Sequence, residues 1–82
     1  MRSATAKKRK LSFKEVQELQ TLPATIERLE GAIAELHQEM AEPRFYQQPG
    51  EQISESQARL KQMETELTAA YERWEELEQL AS

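Results

Sequence analysis

The spacing of apolar residues leaves this chain few folds to choose from. Ile26, Leu29, Ile33, Leu36 and Met40 follow one another at intervals of 3, 4, 3 and 4. This is the a/d seam of a heptad repeat. A second seam runs through Ile53, Ser56, Leu60, Met63, Leu67, Ala70, Trp74 and Leu77. Between them Pro43, Pro49 and Gly50 break any helix, so residues 42–50 form a loop. Two apolar seams joined by a short loop bury themselves most simply against each other, as an antiparallel helical hairpin. The fold class is therefore all-α.

The register follows from the same residues. Seam positions of an antiparallel pair face each other at a constant sum of residue numbers. At 96, Met40 meets Ser56, Leu36 meets Leu60, Ile33 meets Met63, Leu29 meets Leu67 and Ile26 meets Ala70. A register one heptad tighter draws Pro49 and Gly50 into the second helix, where an interior proline costs about 3 kcal/mol or more.

The N-terminal side is less regular. Ser12 followed by Glu15 is a capping box, with Leu11 and Val16 spaced as a hydrophobic staple, so a helix starts at Phe13. Pro23 lacks an N–H and fits best in a first turn. The sequence thus predicts a break near Leu22 and helices over about 13–21, 23–41 and 51–80. At about 1.5 Å per residue the last helix is much longer than the one it opposes. The short first helix is expected to pack at the open end of the two-helix coiled-coil hairpin and cover the excess. There Leu11, Phe13, Val16 and Leu19 would form one wall of a small core, with Tyr71, Trp74, Leu77 and Leu80 as the other. Gly31 falls at an outward position.

Composition limits what such a chain can do. Its 82 residues amount to one small domain, 11–82, preceded by residues 1–10, which have no periodicity and read as a disordered basic linker. There is no cysteine, hence no disulfide framework or thiolate metal site. No apolar run approaches a membrane span, and the basic N-terminus has no apolar stretch behind it, so a cytoplasmic protein is expected.

The net charge of −4 conceals a sharp division. Arg2, Lys7, Lys8, Arg9, Lys10 and Lys14 stand among the first fourteen residues with no acid between them. The other five basic residues and all fifteen acids follow. A basic arm on an acidic body is a recognised sign of contact with nucleic acid or another polyanion, and from charge alone it fits a solvated linker that aids solubility equally well. Lys7, Lys8, Arg9, Lys10 and Lys14 are the candidate phosphate contacts. Arg44, beside Phe45 and Tyr46 in the loop, is a further candidate, since aromatics in a polar turn can stack on a base or partner. One of the two rings is expected instead to plug the hairpin against Met40 and Ile53.

Nothing reads as catalytic. His37 is alone and flanks the seam, where it is solvated. Glu35 with Glu39, or Glu51 with Glu55, have helical spacing for a metal but no histidine partner. No phosphate-binding glycine loop is present, so no cofactor is expected in this chain.

Taken together, Lys10-Leu11-Ser12, Leu22-Pro23, the Pro43/Phe45/Tyr46 cluster and the run Tyr71-Glu72-Arg73-Trp74-Glu75 make residues 8–80 resemble the C-terminal domain of ABC-F ATPases of the Uup type. The resemblance implies a parent with two ATP-binding cassettes, using ATP and magnesium, that ends in a two-helix coiled coil. It implies no membrane part. It further implies a domain that binds DNA, in a wider family that acts on ribosomes, so DNA or ribosomal RNA is the expected partner of a monomeric domain. A protein-interaction or ribosome-docking spacer is the alternative. The acidic body is a departure that places the expected contact on the basic arm.

Overall fold

The computed structural model describes residues 10–81. Two long helices are joined by a short turn: α1 over Phe13–Met40 and α2 over Gly50–Ala81, with a 3₁₀ turn, Pro43–Gln47, between them. The helices lie side by side as an all-α hairpin with dimensions of 54 × 26 × 17 Å.

The start of α1 is set by Ser12. Its hydroxyl accepts from the Glu15 backbone N–H at 3.1 Å, and the Glu15 carboxylate accepts from the Ser12 N–H at 2.9 Å. Two donors that the helix cannot satisfy internally are thereby paired.

Pro23 does not break α1. The expected division into helices over 13–21 and 23–41 is replaced by one continuous helix through Pro23. The expected separate short helix is simply its first three turns. The reason lies in the seam, which keeps its phase across the proline: Leu19 and Leu22 precede it, Ile26 follows, and all three pack into one cluster. Pro23 itself is exposed. A missing backbone bond and a crowded carbonyl cost about 3 kcal/mol. Burying aliphatic side chains on both sides, at about 1.5–3 kcal/mol each, offsets that. The two helices are consequently matched in length, at roughly 42 and 48 Å.

At the closed end, Phe45 folds back and is only 2% exposed, so it is the plug. Its N–H donates to the Glu42 carbonyl, and its own carbonyl accepts from the Gln48 backbone and side chain. The Pro49 carbonyl accepts the first bonds of α2, from Gln52 at 2.9 Å and Ile53 at 3.2 Å.

Three polar pairs across the hairpin report its register. His37 with Glu64 and Tyr71 with Glu30 have numbers adding to 101, and Arg73 with Glu18 to 91. These lie symmetrically about 96, as flanking positions must when the seam pairs at 96. The core cluster agrees: Leu22, Ile26, Ala70 and Leu77 are buried, with Leu11, Leu19, Leu67 and Trp74 against them.

The open end differs from expectation in its details. Leu77, at 0% exposure, is its centre, while Trp74 is half-buried. Phe13 is 79% exposed, and Val16 and Tyr71 are also exposed, so none of the three belongs to the wall. Tyr71 instead donates its hydroxyl to Glu30. That bond holds its phenol above the usual tyrosine range.

Arg73 ties the turns before Pro23 to α2. Its Nε and Nη2 donate to the two Glu18 carboxylate oxygens at 2.7 and 2.9 Å, and its Nη1 donates to Glu76 at 2.7 Å. The fork is bidentate, the geometry that gives an arginine–carboxylate pair its specificity. Those hydrogen bonds hold the Glu18 carboxyl below its ordinary value of 4.5, and the charges of Arg73 and, more weakly, Lys14 act in the same direction. Both side chains are about a third exposed, so water screens the pair.

Three outcomes are expected. Leu77→Ala should destabilise the hairpin by about 2–5 kcal/mol in urea melts. Phe13→Ala should leave the midpoint nearly unchanged. For Glu18, a lowered folded pKa means stability present above the ordinary carboxylate value and lost as pH falls through the lowered one. The stability gap between the unaltered chain and Glu18→Gln should therefore be largest at neutral pH and shrink below about pH 4.5. A gap that grows on acidification would contradict this account of the pair.

Candidate nucleic-acid interface

The cations singled out from the sequence do not form one surface. Lys7, Lys8 and Arg9 lie outside the described residues. Lys10 and Lys14 flank the Ser12 cap at the open end, and both are exposed. Arg44 sits in the turn at the other end, separated from Lys14 by about 26 helical residues, or roughly 40 Å. It is also ion-paired, its Nε donating to Glu42 at 2.9 Å. The turn around it is acidic, with a shallow groove lined by Glu35, Glu39, Glu42 and Gln38. That surroundings repels phosphate. Tyr46 there is 61% exposed and packs edge-on to Phe45, with ring centroids 5.0 Å apart and planes at 87°.

The open end is electrostatically divided between its two helices. With Ile26 at heptad position a, the outward b, c and f positions of α1 in its first turns are Phe13, Lys14, Gln17, Gln20, Thr21 and Ala24. All six are exposed and none is acidic; Glu27 is the first outward acid along α1. A shallow groove lined by Lys14, Gln17, Glu18, Gln20 and Thr21 runs along this face. On α2 the corresponding outward residues, Glu72, Glu75 and Glu76, are acidic. The outer faces of two packed helices point away from each other. The strip that carries Lys14 is thus shielded from that acidic face by the hairpin itself. The N-terminus of α1 adds the positive end of its macrodipole.

The sequence reading missed this strip because it assigned Phe13 to the core on hydrophobicity. The heptad phase carried back from Leu19 puts Phe13 at b, on the outside, and that signal was available. The Arg73–Glu18 fork was equally open to the register, since both residues occupy g positions flanking the seam.

Elsewhere among the described residues no reactive constellation is gathered. Among the described residues no three metal-ligating side chains cluster. His37 lies 3.9 Å from Glu64, and both side chains are more than half exposed. No helix among the described residues is long and apolar enough to cross a membrane.

Comparison with known proteins bears on what kind of domain carries this strip. Residues 10–79 match the model of the ABC transporter C-terminal domain. The chain is 42% identical over 78 residues to an ATP-binding protein Uup-like of Haemophilus influenzae, covering 95% of this chain and 17% of that protein. It has the same identity and coverage of this chain with ATP-binding protein Uup of H. influenzae, 12% of which is covered. With ATP-binding protein Uup of Escherichia coli K12 it shares 42% over 71 residues, or 87% of this chain and 11% of that protein. The chain therefore spans less than a fifth of the length of these relatives. No solved structure matches it significantly. Matched by that model over most of its length, and by Uup-type ATP-binding proteins over nearly all of it, the chain belongs to the ABC transporter C-terminal domain family.

Proposed function

We propose that this hairpin is a non-catalytic, nucleic-acid-binding domain of a larger cytoplasmic ABC-F ATPase. The cassettes of that protein would hold ATP with magnesium and hydrolyse it. The hairpin would act as a monomer, holding DNA, or ribosomal RNA, by its phosphates. The relatives' description as ATP-binding proteins supports the parent. The observation that carries the binding role is the segregation of charge. Six cations and no acid lie within residues 1–14, and the last two of them, Lys10 and Lys14, stand exposed at the start of α1. An arm of this kind neutralises phosphates and releases their counterions. It offers no rigid set of side chains to base edges, so sequence preference is weak.

A titration against duplex DNA at several salt concentrations tests the reading. With about four to six phosphates neutralised, log K should fall against log salt with a slope of roughly −4 to −5. Removing residues 1–10 should abolish most of the binding while leaving helicity and thermal midpoint nearly unchanged, because those residues precede the Ser12 cap. Binding that is flat with salt would favour a protein-interaction or ribosome-docking spacer. Undiminished binding by the truncated chain would move the site onto the hairpin.

A further inference from the structure

Phe13 contributes nothing to the core, yet it is the most exposed large hydrophobic residue among the described ones, at 79%. A single exposed apolar side chain is ordinary on a protein surface. Three features set this one apart. It stands beside Lys14 and three residues after Lys10, both exposed. It begins an outward strip whose b, c and f positions carry no acid for three turns. Along that strip Gln17, Gln20 and Thr21 line a shallow groove with Lys14 and with Glu18, whose charge Arg73 pairs. A comparable strip on α2, with a groove lined by Ala58, Lys61, Gln62, Thr65 and Glu66, has a single cation and no aromatic ring. It serves as an internal control.

A flat aromatic face among cations selects a partner that is both anionic and flat. A peptide of matching charge would bring carboxylates but no required ring. A closed duplex offers phosphates, but its bases are already stacked on one another. An unpaired strand offers both, since every base has a face that can stack on an aromatic ring while the backbone follows a positive surface. From this geometry we infer that Phe13 is a stacking platform for an unpaired base. Lys10 and Lys14 engage the flanking phosphates, and the Gln17 and Gln20 amides line the path of the strand. The inference rests on the nucleic-acid reading above and narrows it: the domain takes single-stranded or locally opened nucleic acid in preference to closed duplex.

The test compares the affinity of the 82-residue chain for a mixed-sequence single-stranded DNA and for the corresponding duplex at one fixed salt concentration. Phe13→Ala should weaken single-strand binding about 5- to 100-fold, the range seen when a stacking aromatic is removed. Duplex binding should change less than about twofold, because no phosphate contact is lost. The salt slope should stay the same for that reason. Phe13→Trp should retain single-strand affinity, and Phe13→Leu, equally apolar but not flat, should behave as Phe13→Ala. Lys61→Ala, on the control strip, should leave the preference untouched. Unchanged thermal midpoints certify the fold of each variant. Retained binding in Phe13→Leu, or equal losses on single strand and duplex, overturns the stacking role alone. Failure of the unaltered chain to bind either nucleic acid overturns the nucleic-acid reading and this inference together.

Discussion

The register of the hairpin is the constraint on which everything else depends, and it is set at the turn. Pro43 opens the 3₁₀ turn, Phe45 plugs it, and Pro49 stands just before Gly50, the first residue of α2. Neither proline can be drawn into a helix interior without losing about 3 kcal/mol. The turn therefore has a fixed length, and fixed length means fixed pairing. A slip of one heptad would put Glu18 opposite a different residue and separate Tyr71 from Glu30. It would also take Leu77 away from Leu19 and Leu22. The polar pairs do not choose the register, because exposed pairs are worth little each. They are consistent with one already chosen by the proline positions and the apolar seam.

Pro23 shows how such a seam overrides a local rule. Proline inside a helix removes one backbone bond, and from sequence alone a break is the reasonable expectation. That expectation weighs the backbone and omits the opposing helix. Once α2 extends to Ala81, it presents Ala70, Trp74 and Leu77 as a surface that only a helix in phase with Ile26 can cover. Leu19 and Leu22 are in that phase. Pro23 also falls on an outward-flanking position, so its ring displaces no core side chain. The Arg73 fork on Glu18 then holds the stretch before the proline from the side.

The parts of the fold that depend on periodicity could be read directly from the chain. The two seams, the Ser12 capping box and the pairing sum of 96 each rest on spacing, and the structure agrees with all three. The expected turn over residues 42–50 ends one residue sooner, because Gly50 already begins α2. What could not be read depended on choosing between hydrophobicity and phase. Phe13, Val16 and Tyr71 are apolar or aromatic and lie near the open end, so hydrophobicity assigned them to a core. Phase sends Phe13 outward and puts Val16 and Tyr71 at flanking positions, and phase prevailed because the narrow seam of two helices has no room for a third row. Trp74 is in phase but only half-buried, since two helices cannot enclose an indole that a third element would have covered. Of the candidate site residues, Lys10 and Lys14 stand exposed on either side of the Ser12 cap. Arg44 did not join them, because a hairpin of this length holds its turn about 40 Å from its open end.

This separation of core from outer face also divides stability from binding. Leu77, Leu22 and Ile26 hold the hairpin and are inaccessible to any partner. Phe13, Lys14, Gln17 and Gln20 are exposed and lie outside the core cluster. Substitution on that face therefore leaves the core packing untouched. Charge follows the same division. Most of the acidic residues lie after the first turn of α1, so the positive potential is concentrated at the open end. A uniformly basic hairpin would present the same potential along its full length, whereas this one carries its two exposed N-terminal lysines at one end.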